Sequence, residues 1–186
     1  MKHIYTFFCL LLLSGVAYAE EPITGAFGQV LGEVADENLI LLEEDTVIPS
    51  PFSVRIYSFV PETPSKIFTD FRLYTTSVKR IIYGIAASFE TESCNTEFRA
   101  IKNVLEEKYG ESRLVDHSDL KDYFSTFIDY QWLQGWRLVR LWCLPYEPKS
   151  SYQVTLIYKD ETIMVSSNEE VEPETQAKAE AEAGNL

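Results

Sequence analysis

Apolar and polar residues alternate over several stretches of the chain, with the two-residue period of half-buried strands. The first stretch, residues 53–60, stops at Pro61, and two more follow at residues 69–76 and 80–90. The short break at residues 78–80 predicts a hairpin turn between the second and third stretches. The alternation returns late in the chain and predicts strands at residues 128–133, 136–144 and 152–159. Gln134-Gly135 is predicted to form a short hairpin loop, and residues 162–165 are compatible with one more strand.

The middle of the chain has the period of a helix instead. Ser93 or Asn95 can cap its N-terminus, and Gly110 stands where a left-handed residue after the last turn is expected. Strands precede and follow this helix without regular βαβ alternation, so the sequence predicts an α+β domain, a mostly antiparallel sheet with one main helix packed on one face. Apolar residues at spacings of three, four and four form the buried side of the helix: Phe98, Ile101, Leu105 and Tyr109.

Three segments lack a clear period. Residues 36–51 are acidic and rich in turn formers, which predicts a solvated loop, and residues 119–127 are ambiguous between helix and strand. The glycine-rich opening at residues 22–32 lacks the spacing of a phosphate-binding loop and is typical of a short strand with close backbone contacts. Its FG-x-x-LG pattern, which begins at Phe27 and ends at Gly32, resembles small uncharacterised secreted bacterial proteins and implies no function.

The first 19 residues have the three parts of a secretion signal. Lys2 gives the basic start, residues 4–13 form an apolar run, and Ala17-Tyr18-Ala19 is a cleavage site. About ten apolar residues are too few for a membrane span, which needs about 20. We therefore expect an exported protein without stable membrane insertion, secreted or, in a Gram-negative source, periplasmic. The folded domain is expected at residues 20–167.

The charge of the chain restricts its partners. The formal net charge is −13, which argues against nucleic acid because phosphate binding needs an excess of Lys and Arg. Residues 168–186 hold six Glu and one Lys and no apolar period, which predicts an acidic, disordered tail. The remaining acidity is typical of a surface that attracts a basic protein partner.

Two cysteines remain if the signal segment is removed with Cys9. Cys94 and Cys143 are an even pair in an exported chain, which predicts a disulfide, with two free thiols or a reactive cysteine as the alternatives. The same removal leaves His117 as the single histidine, so a zinc site built from several His side chains is excluded. Its polar surroundings indicate an exposed loop residue at a helix start. We expect no metal and no cofactor.

An aromatic group in the last third of the chain is the candidate partner-binding patch. In the strand at residues 136–144, Cys143 lies on one face, while Arg140 and Trp142 lie on the other. If the Cys143 face is the core, the second face carries the patch, unless a further segment covers it and the aromatic residues are core as well. The candidate residues are Tyr130, Trp132, Trp136, Arg140 and Trp142.

These observations favour a non-catalytic binding protein of the cell envelope, similar in size and charge to inhibitors and immunity proteins. It would recognise another macromolecule, expected to be a protein, through an acidic and aromatic surface. Two alternatives stay open. One is a small hydrolase that uses a pair of carboxylates on glycans, and the other is a structural accessory of an envelope assembly. No catalytic residue is assigned from the sequence.

Overall fold

The structure, a computed structural model, describes residues 21–46, 53–117, 127–146 and 151–166. The predicted signal segment, the acidic tail and most of the ambiguous segment lie outside these residues. The described elements follow in chain order: β1 (Gly25–Ala26), β2 (Gln29–Val30), β3 (Ile40–Thr46), β4 (Ser53–Ser58), β5 (Asp70–Thr76), β6 (Ile82–Thr91), α1 (Thr96–Tyr109), β7 (Arg113–Leu114), β8 (Ile128–Gln134), β9 (Arg137–Tyr146), β10 (Ser151–Asp160) and α2 (Glu161–Ser166).

Eight of the strands form one antiparallel sheet in the order β3-β4-β5-β6-β10-β9-β8-β7. Two hairpin meanders, β3 to β6 and β7 to β9, are joined by β10, which enters between β6 and β9. The predicted turns are confirmed: Arg80 in the β5–β6 turn and Gly135 in the β8–β9 turn both have positive φ. The prediction of a mostly antiparallel sheet with one main helix between strands is therefore confirmed.

Helix α1 packs on one face of the sheet through the four predicted apolar residues, which are all buried. Asn95 occupies the N-cap position without a side-chain hydrogen bond, and Gly110 ends the helix with a φ of 84° while its N–H donates to the Glu106 carbonyl. Cys94, just before the helix, is joined to Cys143 in β9, with 5.9 Å between their Cα atoms. The disulfide predicted from the cysteine count is thus present, and it fixes the start of the helix to the middle of the sheet.

The N-terminal segment covers the same face as the helix. Ile23, Leu31 and Ala35 are buried in the core cluster that the helix and sheet share. The segment is fixed by backbone hydrogen bonds to β6, where the Gly32 N–H donates to the Ile82 carbonyl and the Ile82 N–H donates to the Glu33 carbonyl, both at 2.8 Å. Because helix and N-terminal segment lie on one side, no described helix or strand packs over the opposite face of the sheet.

Two sequence predictions are corrected by this arrangement. Residues 36–51 are not a loop throughout, because residues 40–46 form β3 and pair with β4 at the edge of the sheet. Ile40, Leu41 and Leu42 are exposed in this strand. Its acidic composition is typical of a loop, but backbone hydrogen bonds to β4 hold it as a strand. Residues 162–165 are not a strand but part of helix α2.

Asp160 explains the start of helix α2. Its carboxylate accepts hydrogen bonds from the Thr162 backbone N–H at 3.1 Å and from the Thr162 hydroxyl, and also from Arg137 Nε at 2.8 Å. Burial by itself would raise the pKa of this carboxyl group, but the bonds from Thr162 and Arg137 outweigh it, so the pKa lies below the ordinary 3.8. A short polar side chain at this position stops strand β10 and begins the helix.

We expect Asp160 to make folding acid-sensitive. A carboxyl group whose pKa is lower in the folded state contributes stability that is complete above its unfolded pKa and is lost as the pH falls through the folded value. The free energy of unfolding of the native protein should therefore fall more steeply below about pH 4 than that of Asp160→Asn. Urea unfolding between pH 2.5 and 7 measures this, and identical slopes for the two proteins would contradict the assignment.

Candidate functional site

The face of the sheet that no described helix or strand covers forms an open groove of about 710 Å³. Its floor comes from the four central strands β5, β6, β10 and β9, and His117 and Phe127 stand at its β8 side. A volume of this size is within the range of ligand sites in proteins, roughly 300 to 1,000 Å³. The groove is lined by Asp70, Arg72, Tyr74, Ala86, Ala87, Ser88, His117, Phe127, Arg140, Trp142, Leu144, Tyr146, Gln153 and Thr155.

The strand register brings these side chains together in rows across the sheet. Residues directly opposite each other in neighbouring antiparallel strands project on the same face. The first row holds mainly polar side chains, with Trp142 and a carboxylate at one end. The second row has an arginine at or near each end. The rows are Asp70, Ser88, Thr155, Trp142 and Asp129, and Arg72, Ala86, Ile157, Arg140 and Gln131.

A buried carboxylate organises one wall of the groove. The side chain of Asp129 in β8 is 0% exposed, yet it accepts hydrogen bonds from two cationic or polar groups. Arg140 Nε lies 2.9 and 3.0 Å from its two oxygens, and His117 Nε2 lies 2.6 Å from Oδ2. Ionic groups are buried at low cost only when they are paired and hydrogen-bonded in this way. Asp129 therefore fixes the position of both side chains at the groove.

Aromatic rings stand beside both partners of Asp129. The guanidinium carbon of Arg140 lies 5.0 Å from the centroid of the Trp142 ring, within the range of a cation–π contact. The His117 ring stacks on Phe127 with centroids 4.1 Å apart and planes 20° apart. Each polar side chain is thus held from two sides, by a carboxylate and by a ring, and the wall is preorganised.

The opposite wall is lined by β5. Arg72 Nε lies 2.9 Å from Asp70 Oδ2, and both side chains are well exposed to solvent. Next to them Tyr74 contacts the Tyr83 ring, with centroids 6.2 Å apart. Burial raises the pKa of the Tyr83 hydroxyl far above its ordinary value, and the neighbouring Tyr74 raises it further. Tyr83 is therefore a neutral phenol under all ordinary conditions.

The five residues of the predicted patch do not share one surface. Trp132 is 2% exposed and belongs to the core on the helix face, where its indole N–H donates to the Gly110 carbonyl at 3.0 Å. Tyr130 lies on that face too, against Phe98 of α1. Trp136 is 68% exposed at the tip of the β8–β9 hairpin. Arg140 and Trp142 alone lie in the groove.

His117 is also placed differently from the sequence expectation. It is not an exposed loop residue but a partly buried one, bonded to Asp129 and stacked on Phe127. The sequence offered one signal for Asp129, which is the single charged residue of strand β8. Its partner Arg140 lies on the next strand, diagonally across the β8–β9 register, so the pair cannot be identified without that register.

Metal-ligating groups and membrane-spanning helices are also absent from the described residues. They contain no group of three or more His, Cys, Asp or Glu side chains arranged to hold a metal ion. No described helix is long and apolar enough to cross a membrane. In comparisons with known proteins, no family model, no curated protein and no solved structure matches the chain.

Proposed function

We propose that the protein is an exported, non-catalytic binding protein of the cell envelope that holds part of another protein in the groove on the sheet face opposite α1. The observation that carries this proposal is the groove itself, a concave surface with preorganised aromatic and planar polar side chains. Arg140 beside Trp142 is its centre, because Trp and Arg dominate the energetics of many interfaces.

The composition of the groove favours binding over carboxylate hydrolysis. Glycoside hydrolysis needs two carboxyl groups that face each other across the substrate. Among the described residues that line the groove, Asp70 is the single carboxylate, and it is paired with Arg72. Asp129 lies behind the wall with a fully buried side chain, so it does not present a second carboxylate to a substrate.

Site-directed photo-cross-linking tests the proposal on the full chain. A benzoylphenylalanine side chain in place of Tyr146 lies at the groove, and the same side chain in place of Val104 lies on the exposed side of α1, across the sheet. In envelope extract at low salt, we expect a discrete cross-linked protein from position 146 and none of that mass from position 104. Equal products from both positions, or none from position 146, would refute the use of the groove as a binding surface.

A further inference from the structure

The strands beneath the groove offer a bound segment no backbone to pair with. Each of β5, β6, β10 and β9 has a hydrogen-bonded neighbour on both sides within the sheet. Their N–H and C=O groups are therefore used by the sheet itself, and strand addition, which needs an open edge, cannot occur over the groove. A segment held there must bind through side chains.

The two arginines of the groove have balanced charges and spare donors. Arg140 is paired with Asp129, and Arg72 is paired with Asp70, so each guanidinium already has its counter-charge. Of the five N–H donors of a guanidinium, these pairs use Nε in both side chains and one donor of Nη2 in Arg140. The other N–H groups have no partner among the described residues. A neutral acceptor, such as a peptide carbonyl, satisfies them without adding a charge.

Further donors line the same surface. In the part of the chain that the structure describes, the Trp142 indole N–H and the Gln153 side-chain amide form no hydrogen bond. An indole can only donate, and an amide offers two N–H groups against one oxygen. Asp70 is the single carboxylate of the described lining, and Arg72 and Ser88 already donate to its Oδ2. The groove is thus rich in donors and poor in acceptors.

Aromatic rings supply apolar contacts at the walls of the groove. Tyr74 lies on β5, Phe127 lies at the β8 side, and Trp142 and Tyr146 lie on β9. Contacts described above fix the rings of Tyr74, Phe127 and Trp142 in position. Rings that are already fixed lose little freedom on binding and suit a ligand that is itself rigid.

A proline-rich segment has the complementary chemistry. Proline has no backbone N–H, so such a segment offers carbonyl acceptors and few donors. In the polyproline II helix these carbonyls make no internal hydrogen bonds, and the conformation is already ordered before binding. An extended segment without proline would instead bring an N–H at every residue into a groove that has few acceptors. Aromatic-lined grooves are a recurring binding surface for proline-rich segments.

We infer that the groove binds a neutral, proline-rich segment of a partner protein in the polyproline II conformation. This inference rests on the proposed function and names the chemistry of its partner. From β5 to β9 the floor is three strand steps wide, or about 14 Å, and a polyproline II helix rises about 3.1 Å per residue. About five residues therefore cross the groove, with carbonyls towards Arg140, Trp142 and Gln153 and proline rings against the aromatic walls.

Peptide binding to the full chain tests this inference. The probe is a fluorescein-labelled peptide with blocked ends and the core Pro-Pro-Gln-Pro-Pro-Gln-Pro-Pro, and its matched control has Ala in place of every Pro. We expect the proline probe to bind at least about tenfold more tightly than the control in fluorescence anisotropy, with little change between low and high salt because both partners are locally neutral. Equal binding of the two peptides, or a steep loss of binding with salt, would overturn the inference.

A matched pair of tryptophan variants locates the site. Trp142→Phe removes an indole N–H from the groove and keeps an aromatic ring, and Trp136→Phe makes the same change at the exposed hairpin tip. The first should weaken the proline probe about fivefold to tenfold, and the second should leave its affinity unchanged. Gln153→Met, which removes an amide from the groove, replaces Trp142→Phe if urea unfolding shows that variant to be unfolded. A groove variant that binds the probe as tightly as Trp136→Phe would overturn the inference.

Further outcomes distinguish other occupants. An acidic or basic peptide of the same length that binds more tightly than the proline probe would overturn a neutral partner. Displacement of the probe by cellohexaose at lower concentration than by unlabelled proline peptide would assign the groove to a glycan and overturn a protein segment. A cross-link at position 146 that the proline peptide does not suppress would refute the proline-rich segment and leave the proposed function standing.

Discussion

Replacement of Asp129 by Ala is expected to lower the free energy of unfolding by about 3 to 5 kcal/mol. The carboxylate has no exposed surface and accepts bonds from both Arg140 and His117. Its removal leaves the Arg140 guanidinium beside an apolar strand without a counter-charge, which costs far more than a hydrogen bond at the surface. Because Arg140 itself is partly exposed and can turn towards water, the loss should lie at the lower end of this range.

Urea unfolding followed by tryptophan fluorescence measures the loss, and Asp70, the carboxylate that lines the groove, supplies the control. Asp70 also pairs with an arginine, but the side chains of Arg72 and Asp70 are 46% and 42% exposed. An exposed ion pair contributes about 0 to 1 kcal/mol, so Asp70→Ala should cost no more than that. If the two variants lost the same stability, burial would not explain the role of Asp129.

Local patterns predicted those parts of the fold that depend on local sequence. The spacing of Phe98, Ile101 and Leu105 predicted helix α1 and its buried side, because a helix repeats its face within one segment. The error at residues 162–165 has a local cause as well, since the Asp160 side chain caps a helix there. The error at β3 has a distant cause: an edge strand depends on the hydrogen bonds of its neighbour β4 more than on its own composition.

The candidate site was less accessible from the sequence because it depends on strand order. The alternation in β9 correctly placed Arg140 and Trp142 on the face opposite Cys143. Tyr130 and Trp132 were grouped with them by proximity along the chain, but the β8–β9 register pairs them with Leu141 and Val139 and so places them on the core face. A register is set by pairing between strands, and one residue of shift exchanges the two faces.

The groove also depends on contacts across nearly 70 residues of chain. Its opposite wall, formed by β5, reaches Arg140 only because β10 inserts between β6 and β9. No local pattern predicts that insertion, since β10 pairs on one side with a neighbour in sequence and on the other with a strand from before the helix.

Reduction of the disulfide between Cys94 and Cys143 is expected to lower the melting temperature by roughly 8 to 16 °C. The bond closes a loop with a sequence separation of 49 residues, which by loop-closure entropy corresponds to about 4 kcal/mol of stability. Both cysteines are buried where α1 meets the centre of the sheet, so the bond ties the helix to β9 across the core. Without the bond, the unfolded chain gains conformational entropy while the folded chain keeps its packing, so the folded state is less stable.

Scanning calorimetry with and without reductant measures the change, and a variant with Ala at both cysteine positions separates the bond from the reagent. The double variant should melt near the temperature of the reduced native protein, lower by the extra cost of two small buried cavities, and should not respond to reductant. A native protein whose melting temperature does not change on reduction would show that the bond contributes nothing to stability. In that case the packing of α1 against β9 would by itself hold the wall of the groove, and Arg140 and Trp142 would keep their positions in the reduced protein.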